Sequence, residues 1–264
     1  MSLRCLAWAG LFALATRAGA QTDYYNTGSG RPLRVEDATP LEYRGVELGL
    51  APLRFERTER RVNRWLLSPQ IAVGVLPRTE LHIELPIEYL DFRATSSRGL
   101  AGVEVSLLHA LNAETSIPAL ALGADLTVPA GPLGGDATYA SFKGVATRTL
   151  PWARFHVNAA VTVGPGVRTT EGAAAGVEAV EASRWWGGLS IDKTFPLRSL
   201  LVSAEAYADQ AVIDDADIVW HTGVGARYQF TPRVALDGGV GRRLTGEDRE
   251  WHVTIGWAYA LGIP

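Results

Sequence analysis

The chain has 264 residues, 47% of them hydrophobic and 20% charged, with a formal net charge of -3, 28 glycines and a mean hydropathy of +0.05. No basic stripe with interleaved aromatics appears, so no nucleic-acid partner is expected. The single cysteine, Cys5, leaves no disulfide framework and no thiolate zinc site, and the length suits one large β-barrel or two small soluble domains.

Residues 1–20 read as a secretory signal. Arg4 supplies the positive start, 5–16 a short apolar stretch, and Ala18, Gly19 and Ala20 a small-residue cleavage site. A buried N-terminal helix is the competing reading, but nothing after it supplies a helical partner. Residues 21–42 are polar, rich in Gly, Thr and Asp, and lack sustained alternation. They read as a periplasmic tail, a partial plug or a leader without fixed structure.

From residue 43 the dominant signal is a period-two alternation that recurs about a dozen times over roughly ten residues each. It predicts strands near 45–56, 64–76, 80–92, 99–111, 117–128, 138–149, 154–164, 183–194, 199–210, 217–230, 233–244 and 250–262. The clearest run is 80–89, where Leu81, Ile83, Leu85, Ile87 and Tyr89 alternate with His82, Glu84, Pro86 and Glu88. Strand one changes phase near Pro52, as a bulge there would require. The strand around 142–148 alternates poorly. No later segment offers 18 uninterrupted apolar residues, so a membrane-entering form must be a closed barrel.

The connections alternate in length. Short links fall at 77–79, 112–116, 150–153, 195–198 and 231–232, and longer ones at 57–63, 93–98, 129–136, 165–182, 211–216 and 245–249. Tight periplasmic turns and longer extracellular loops sort by parity in this way in outer-membrane barrels. Aromatics gather at strand ends: Trp65, Phe92, Tyr139, Trp185, Trp186, Trp220 and Trp251 at the outer side, and Tyr43, Trp152, Phe155, Phe195, Tyr228, Phe230, Trp257 and Tyr259 at the periplasmic side. Two girdles are what membrane interfaces select. The reading is therefore all-β, an antiparallel transmembrane barrel of about twelve strands over 43–264. It would sit in the outer membrane of a Gram-negative-type bacterium, with outer-membrane lipid and the barrel assembly machinery as partners.

The segments RPLRVEDA (31–38), VELGLAPLRFER (46–57), LLHALNAET (107–115), PALALGADLTVPAG (118–131) and SFKGVATRTL (141–150) resemble the outer-membrane proteins grouped as the phenol meta-pathway transporter family. That resemblance implies a barrel with a supposed role in passage of small hydrophobic or aromatic molecules. The final strand is similar to the alternating segment that barrel assembly machinery reads, although it lacks the usual terminal aromatic.

Alternation directs Glu47, His82, Glu84, Glu88, Glu104 and Asp125 into the lumen from the first five strands. Lys143, Arg154, His156, Asp192, Glu205, His221, Arg227, Asp237 and His252 follow from the rest. An acidic wall beside basic groups would set a transverse field that orients dipolar solutes; alternatively these residues pair to fill the interior. A twelve-strand barrel is intermediate between filled and open. Gly223, Gly225, Gly239 and Gly241 read as small lumen-facing residues rather than a dinucleotide loop. His82, Glu84 and Glu88 share a face without a second histidine, so no metal and no cofactor are assigned. No histidine precedes a serine by two residues, which removes the dyad of an outer-membrane phospholipase, and no catalytic residue is assigned. The functional expectation is a non-enzymatic channel for passive passage of small solutes. A structural or surface-recognition barrel with a filled lumen is the alternative, and an outer-membrane hydrolase stands third.

Overall fold

The computed structural model describes residues 27–28, 30–49, 53–58, 62–92, 95–165, 183–212, 216–246 and 249–262. The expected signal segment, the start of the tail and nearly all of the 165–182 loop lie outside them. The named elements are strands throughout: β1 (Gly45–Gly49), β2 (Leu53–Thr58), β3 (Asn63–Leu67), β4 (Gln70–Leu76), β5 (Thr79–Glu84), β6 (Ile87–Asp91), β7 (Ser96–Leu100) and β8 (Val103–Ala110). They continue as β9 (Ala119–Val128), β10 (Tyr139–Thr149), β11 (Arg154–Val163), β12 (Ser183–Thr194), β13 (Leu200–Ala211), β14 (Ile218–Thr231), β15 (Val234–Arg243) and β16 (Glu250–Gly262).

Each of the first four strand pairs, β1 with β2 through β7 with β8, forms the two halves of one stave. The sixteen segments thus make twelve antiparallel staves, and β16 closes the sheet by pairing with both β1 and β2. The twelve-stranded transmembrane barrel expected from alternation is the fold. Between β4 and β5 the turn closes on Arg78, whose φ of 62° supplies the left-handed bend.

The joints between the halves lie side by side: after Gly49 and before Leu53 on the first stave, and at 68–69, 85–86 and 101–102 on the next three. The sequence supplies Pro69, Pro86 and Gly102 at the last three of these places. Proline has no N–H to give a ladder, so it belongs where pairing stops. The local backbone is satisfied across the gap: Leu85 N donates to Pro69 O (3.1 Å), Ala101 N to Pro86 O (2.8 Å) and Gly102 N to Ala130 O (3.0 Å). Gly49 pairs with Ala258 and Leu53 with Ile255, an advance of four residues on the first stave against three on the last. That extra residue inverts the phase, so Val46 and Leu48 below the break and Leu53 and Phe55 above it all face lipid.

Burial is inverted relative to a soluble sheet. Leu122, Phe142, Val157, Leu189, Val224, Val240 and Ile255 are exposed on the outside, while His156, Asn158, Asp192, Glu205, Arg227 and Asp237 are buried within. The poorly alternating β10 fits the same rule, with Lys143, Val145 and Thr147 buried inward and Phe142 outward.

Trp65, Trp220 and Trp251 are exposed at the outer ends, and Trp152, Tyr228 and Trp257 at the periplasmic ends, with Tyr259 partly buried beside them. Phe55 joins the outer girdle, 4.4 Å from the Trp65 ring and 5.4 Å from Trp251. Trp185 bonds Gln210 through its indole N–H. Three rings expected in that girdle turn elsewhere. Tyr139 and Trp186 point into the lumen, and Phe92 packs on Leu90, Ala101 and Leu133. Alternation on these staves placed them on the inner face, and position near a strand end could not override it.

Ile255 is 64% exposed midway between Trp251 and Trp257. Ile255→Arg should therefore lower folding stability in bilayers by about 2–4 kcal/mol, measured as a shift of the urea unfolding curve of the barrel in lipid vesicles.

Candidate functional site

Residues 27–42 lie inside the barrel as a folded plug. From β1 the chain runs back through Leu41, whose N–H donates to Glu80 Oε2 (2.7 Å) near the periplasmic end, and Ala38, whose N–H donates to Thr147 Oγ1 (2.9 Å). It rises past Glu36, where Asn158 clamps both backbone groups: Glu36 N donates to Asn158 Oδ1 and Asn158 Nδ2 to Glu36 O, each at 2.9 Å. Val35 N donates to Glu205 Oε2 (2.9 Å). Arg34, its side chain reaching the outer ends of β12 and β13, marks the apex, and the chain then descends through Pro32 and Arg31. Thr27 N closes the hairpin on Asp37 Oδ2 (3.2 Å).

Charge on the plug matches charge on the wall residue by residue. Arg31 bonds Asp237 at 2.8 Å and lies 3.9 Å from Glu47, which also takes Arg227 at 3.5 Å. Burial disfavours the Arg31 charge, but Asp237, Glu47 and Glu84 outweigh it and hold its proton more tightly than water does. Lys143 joins Glu36 (2.6 Å) to Asp125 (3.3 Å). Arg154 grips Asp192 through two bonds (2.8 and 2.7 Å) and lies 3.8 Å from Asp37. His156 links Thr147 Oγ1 (2.9 Å) to Asp192 (3.1 Å). Removing one partner from a buried pair of this kind costs about 3–5 kcal/mol, because the other charge is stranded.

The wall is shaped for this segment. A Cβ on Gly225 would lie 3.0 Å from Pro32 Cβ, on Gly239 2.8 Å from Pro32 O, on Gly223 3.2 Å from Leu33 Cδ2, and on Gly188 3.0 Å from Val35 Cγ2. These lumen-facing glycines form the cradle of the plug. A small apolar cluster of Ala38 with Leu108, Ala119, Ala121 and Val145 seats its lower end. Beside it a cavity of about 60 Å³ remains, lined by Arg31, Glu36, Glu80, His82 and Lys143, among others. That is room for a few waters.

Of the remaining expected lumen residues, Glu84 acts on Arg31 from the wall. Glu84 and Glu104 are direct cross-strand neighbours on the inner face. Glu88 pairs with Arg64, which also reaches Glu56 at 3.1 Å. The His82, Glu84 and Glu88 face is split by the stave break, with Glu88 on the outer half. His252 faces Glu56 across the strand pair and, with Glu250, brings three potential metal ligands within 4.8 Å of one another. Arg54 and Arg64 already neutralise Glu56, so a divalent cation would have to displace them. His221 stacks on Tyr207, ring centroids 4.4 Å apart, and contacts Asp209 at 3.2 Å.

Sequence reading missed the plug's own residues, Arg31, Arg34, Glu36 and Asp37, and the wall groups Asn158, Thr147, Ser183, Asp209, Arg54, Glu56 and Arg64. The available signal was the charge order of RPLRVEDA, set against a lumen face with an excess of carboxylates.

On the outside, just above the stave breaks, a hollow of about 490 Å³ is lined by Leu53, Trp65, Leu67, Ile87, Tyr89, Arg98, Gly99 and the inward-facing Glu88.

No family model and no curated protein matches this chain. The structure is similar to the COG4313 outer membrane channel from Pseudomonas putida F1, with a TM-score of 0.66 and 12% identity over 85% of this chain and 98% of that one. It is also similar to the translocator domain of the autotransporter NalP from Neisseria meningitidis, with a TM-score of 0.52 and 11% identity over 96% of each chain. At these identities the likeness is one of fold, that of outer-membrane barrels.

Two outcomes follow from the plug's packing. Gly225→Val should drive a branched side chain into Pro32, expel the plug and raise single-channel conductance in planar bilayers, while the folded barrel persists.

The second concerns Asp37. Burial pushes its carboxyl up to about 6, against the opposing pull of Arg154, His156 and the N–H groups of Thr39 and Thr27. The docked plug therefore binds a proton more tightly than a released one, whose carboxyl keeps its ordinary value near 3.8. The extra docking stability is fully present below about pH 4 and is lost as pH rises through about 6. Conductance should rise between pH 4 and 7 in the wild type. Asp37→Asn should flatten the Asp37 part of that rise and leave the channel more closed at pH 7.

Proposed function

We propose that this barrel is a passive outer-membrane channel for small solutes, closed at rest by the 27–42 plug. The observation that carries the reading is the nature of the wall behind the plug. A structural barrel fills its interior with its own large side chains. Here the inner face presents Gly188, Gly223, Gly225 and Gly239, and the space they leave is taken by a separate segment. That segment is held mainly by hydrogen bonds and ion pairs, which water can replace as it withdraws. In this reading the protein acts by permeation rather than turnover.

The solute class we favour is apolar or aromatic, in keeping with the resemblance to the phenol meta-pathway transporter family. The apolar hollow around Leu53, Trp65, Leu67, Ile87 and Tyr89 supports it, because such a surface favours an apolar solute over a polar one. Deleting residues 27–40 and reconstituting the barrel tests both parts. Conductance should rise well above that of the full chain, and uptake of a neutral aromatic probe into proteoliposomes should exceed that of a sugar of similar size. Equal, negligible conductance in both proteins would return the reading to a structural barrel. Faster uptake of the sugar would overturn the solute class alone.

A further inference from the structure

Arg34 differs from the other plug charges in what holds it and in where it lies. Its guanidinium sits over two ring faces, 4.7 Å from the Trp186 centroid and 4.9 Å from that of Tyr207. Nη1 donates to Asp209 Oδ2 at 3.0 Å and Nη2 to Ser183 Oγ at 3.1 Å. Aromatic faces with a carboxylate and a hydroxyl at hydrogen-bonding distance are the elements by which proteins recognise organic cations. All four groups come from the outer ends of two adjacent staves, β12 and β13. The Arg34 side chain is 28% exposed, whereas Arg31, deeper in the same plug, is 5% exposed.

The slot does not depend on Arg34 for its shape. Ser183 Oγ donates to Asp209 Oδ2 at 3.0 Å, and His221 Nε2 lies 3.2 Å from Asp209 Oδ1. The Tyr207 ring is stacked on His221, with 7° between their planes. These wall-to-wall contacts fix the carboxylate and one ring face whether or not the plug is in place. A site already organised in this way binds at little cost in ordering its own side chains.

We infer that the pocket formed by Trp186, Tyr207, Asp209 and Ser183 is a binding site for cationic solutes of the guanidinium class, and that Arg34 is its resident intramolecular occupant. A solute arriving from the outer side competes with Arg34 for the slot, and its binding frees the apex of the plug. The anchors below, at Arg31, Glu36 and Asp37, then hold the plug without its outermost contact. The site goes beyond the channel reading. It is detected by binding, so a barrel that binds but never conducts would keep the slot and lose the channel.

The test is calorimetric titration of the full-length folded protein in detergent with ethylguanidinium at low ionic strength, with N-ethylurea as the neutral isostere. In Arg34→Ala, ethylguanidinium should bind saturably and N-ethylurea should not. The wild type should bind at least about tenfold more weakly, because its slot is free only in the small fraction of molecules with Arg34 withdrawn. Adding Asp209→Asn to Arg34→Ala should abolish the binding. Arg34→Gln replaces Arg34→Ala if the latter does not give a folded barrel. Absence of saturable binding in the Arg34 variant overturns the site. Equal affinity in wild type and variant overturns the competition, and binding that survives Asp209→Asn overturns the assignment of the carboxylate.

Discussion

Inside hydrocarbon no water is at hand for an unpaired peptide group, and closure of the sheet by β16 against β1 and β2 is the constraint from which this architecture follows. A closed sheet of twelve staves encloses more space than the small inner side chains can occupy, and that space has to be filled or wetted. The same constraint makes the breaks in the first four staves informative. Pairing lapses at one level around a third of the circumference, where Pro69, Pro86 and Gly102 stand, and the chain spends side contacts such as Ala101 N to Pro86 O to keep its backbone satisfied. The hollow on the lipid side lies directly above that level.

The second constraint is charge. A lumen face bearing Glu47, Asp125 and Asp237 is tolerable in a low-dielectric interior only with cations close by, and Arg227 and Lys143 of the wall supply part of them. The plug completes the set. Arg31 answers Asp237 and Glu47, while Glu36 in turn takes Lys143, which would otherwise see Asp125 alone. Wall and plug are thus complementary in charge and in shape, the glycines of β12, β14 and β15 giving way where Leu33, Pro32 and Val35 press inward. An interface built this way is specific in register. It is also reversible, since each charged group has water as an alternative partner once the plug moves.

Strand number, order and facing were legible in the sequence because lipid on one side and water or protein on the other impose a period of two that local noise does not hide. Even the phase change near Pro52 was visible, as the alternation itself shifted there. The plug was not legible in detail. Residues 31–38 have no periodicity, and their structure is dictated by partners up to 222 residues away, such as Thr254, whose hydroxyl donates to Pro32 O. For the same reason Trp186 was placed in a girdle by its position near a strand end, when the register with Asp209 turns it inward. Lumen residues such as Glu205 and Asp237 could be assigned a face, but their partners could not be named without the fold.

The two features that make the barrel more than a filled cylinder lie on opposite sides of the plug. The hollow opens from the stave breaks of β1–β8, and the Arg34 slot from the outer ends of β12–β14. A solute held at the slot acts on the apex of the plug, where the hairpin reverses and where a small displacement is transmitted to both of its arms. The descending arm carries Arg31 to the Asp237 and Glu47 side, and the ascending arm carries Glu36 to Lys143, next to the β8–β10 wall that adjoins the broken staves. On the proposed reading, loss of the apex contact would loosen both arms at once.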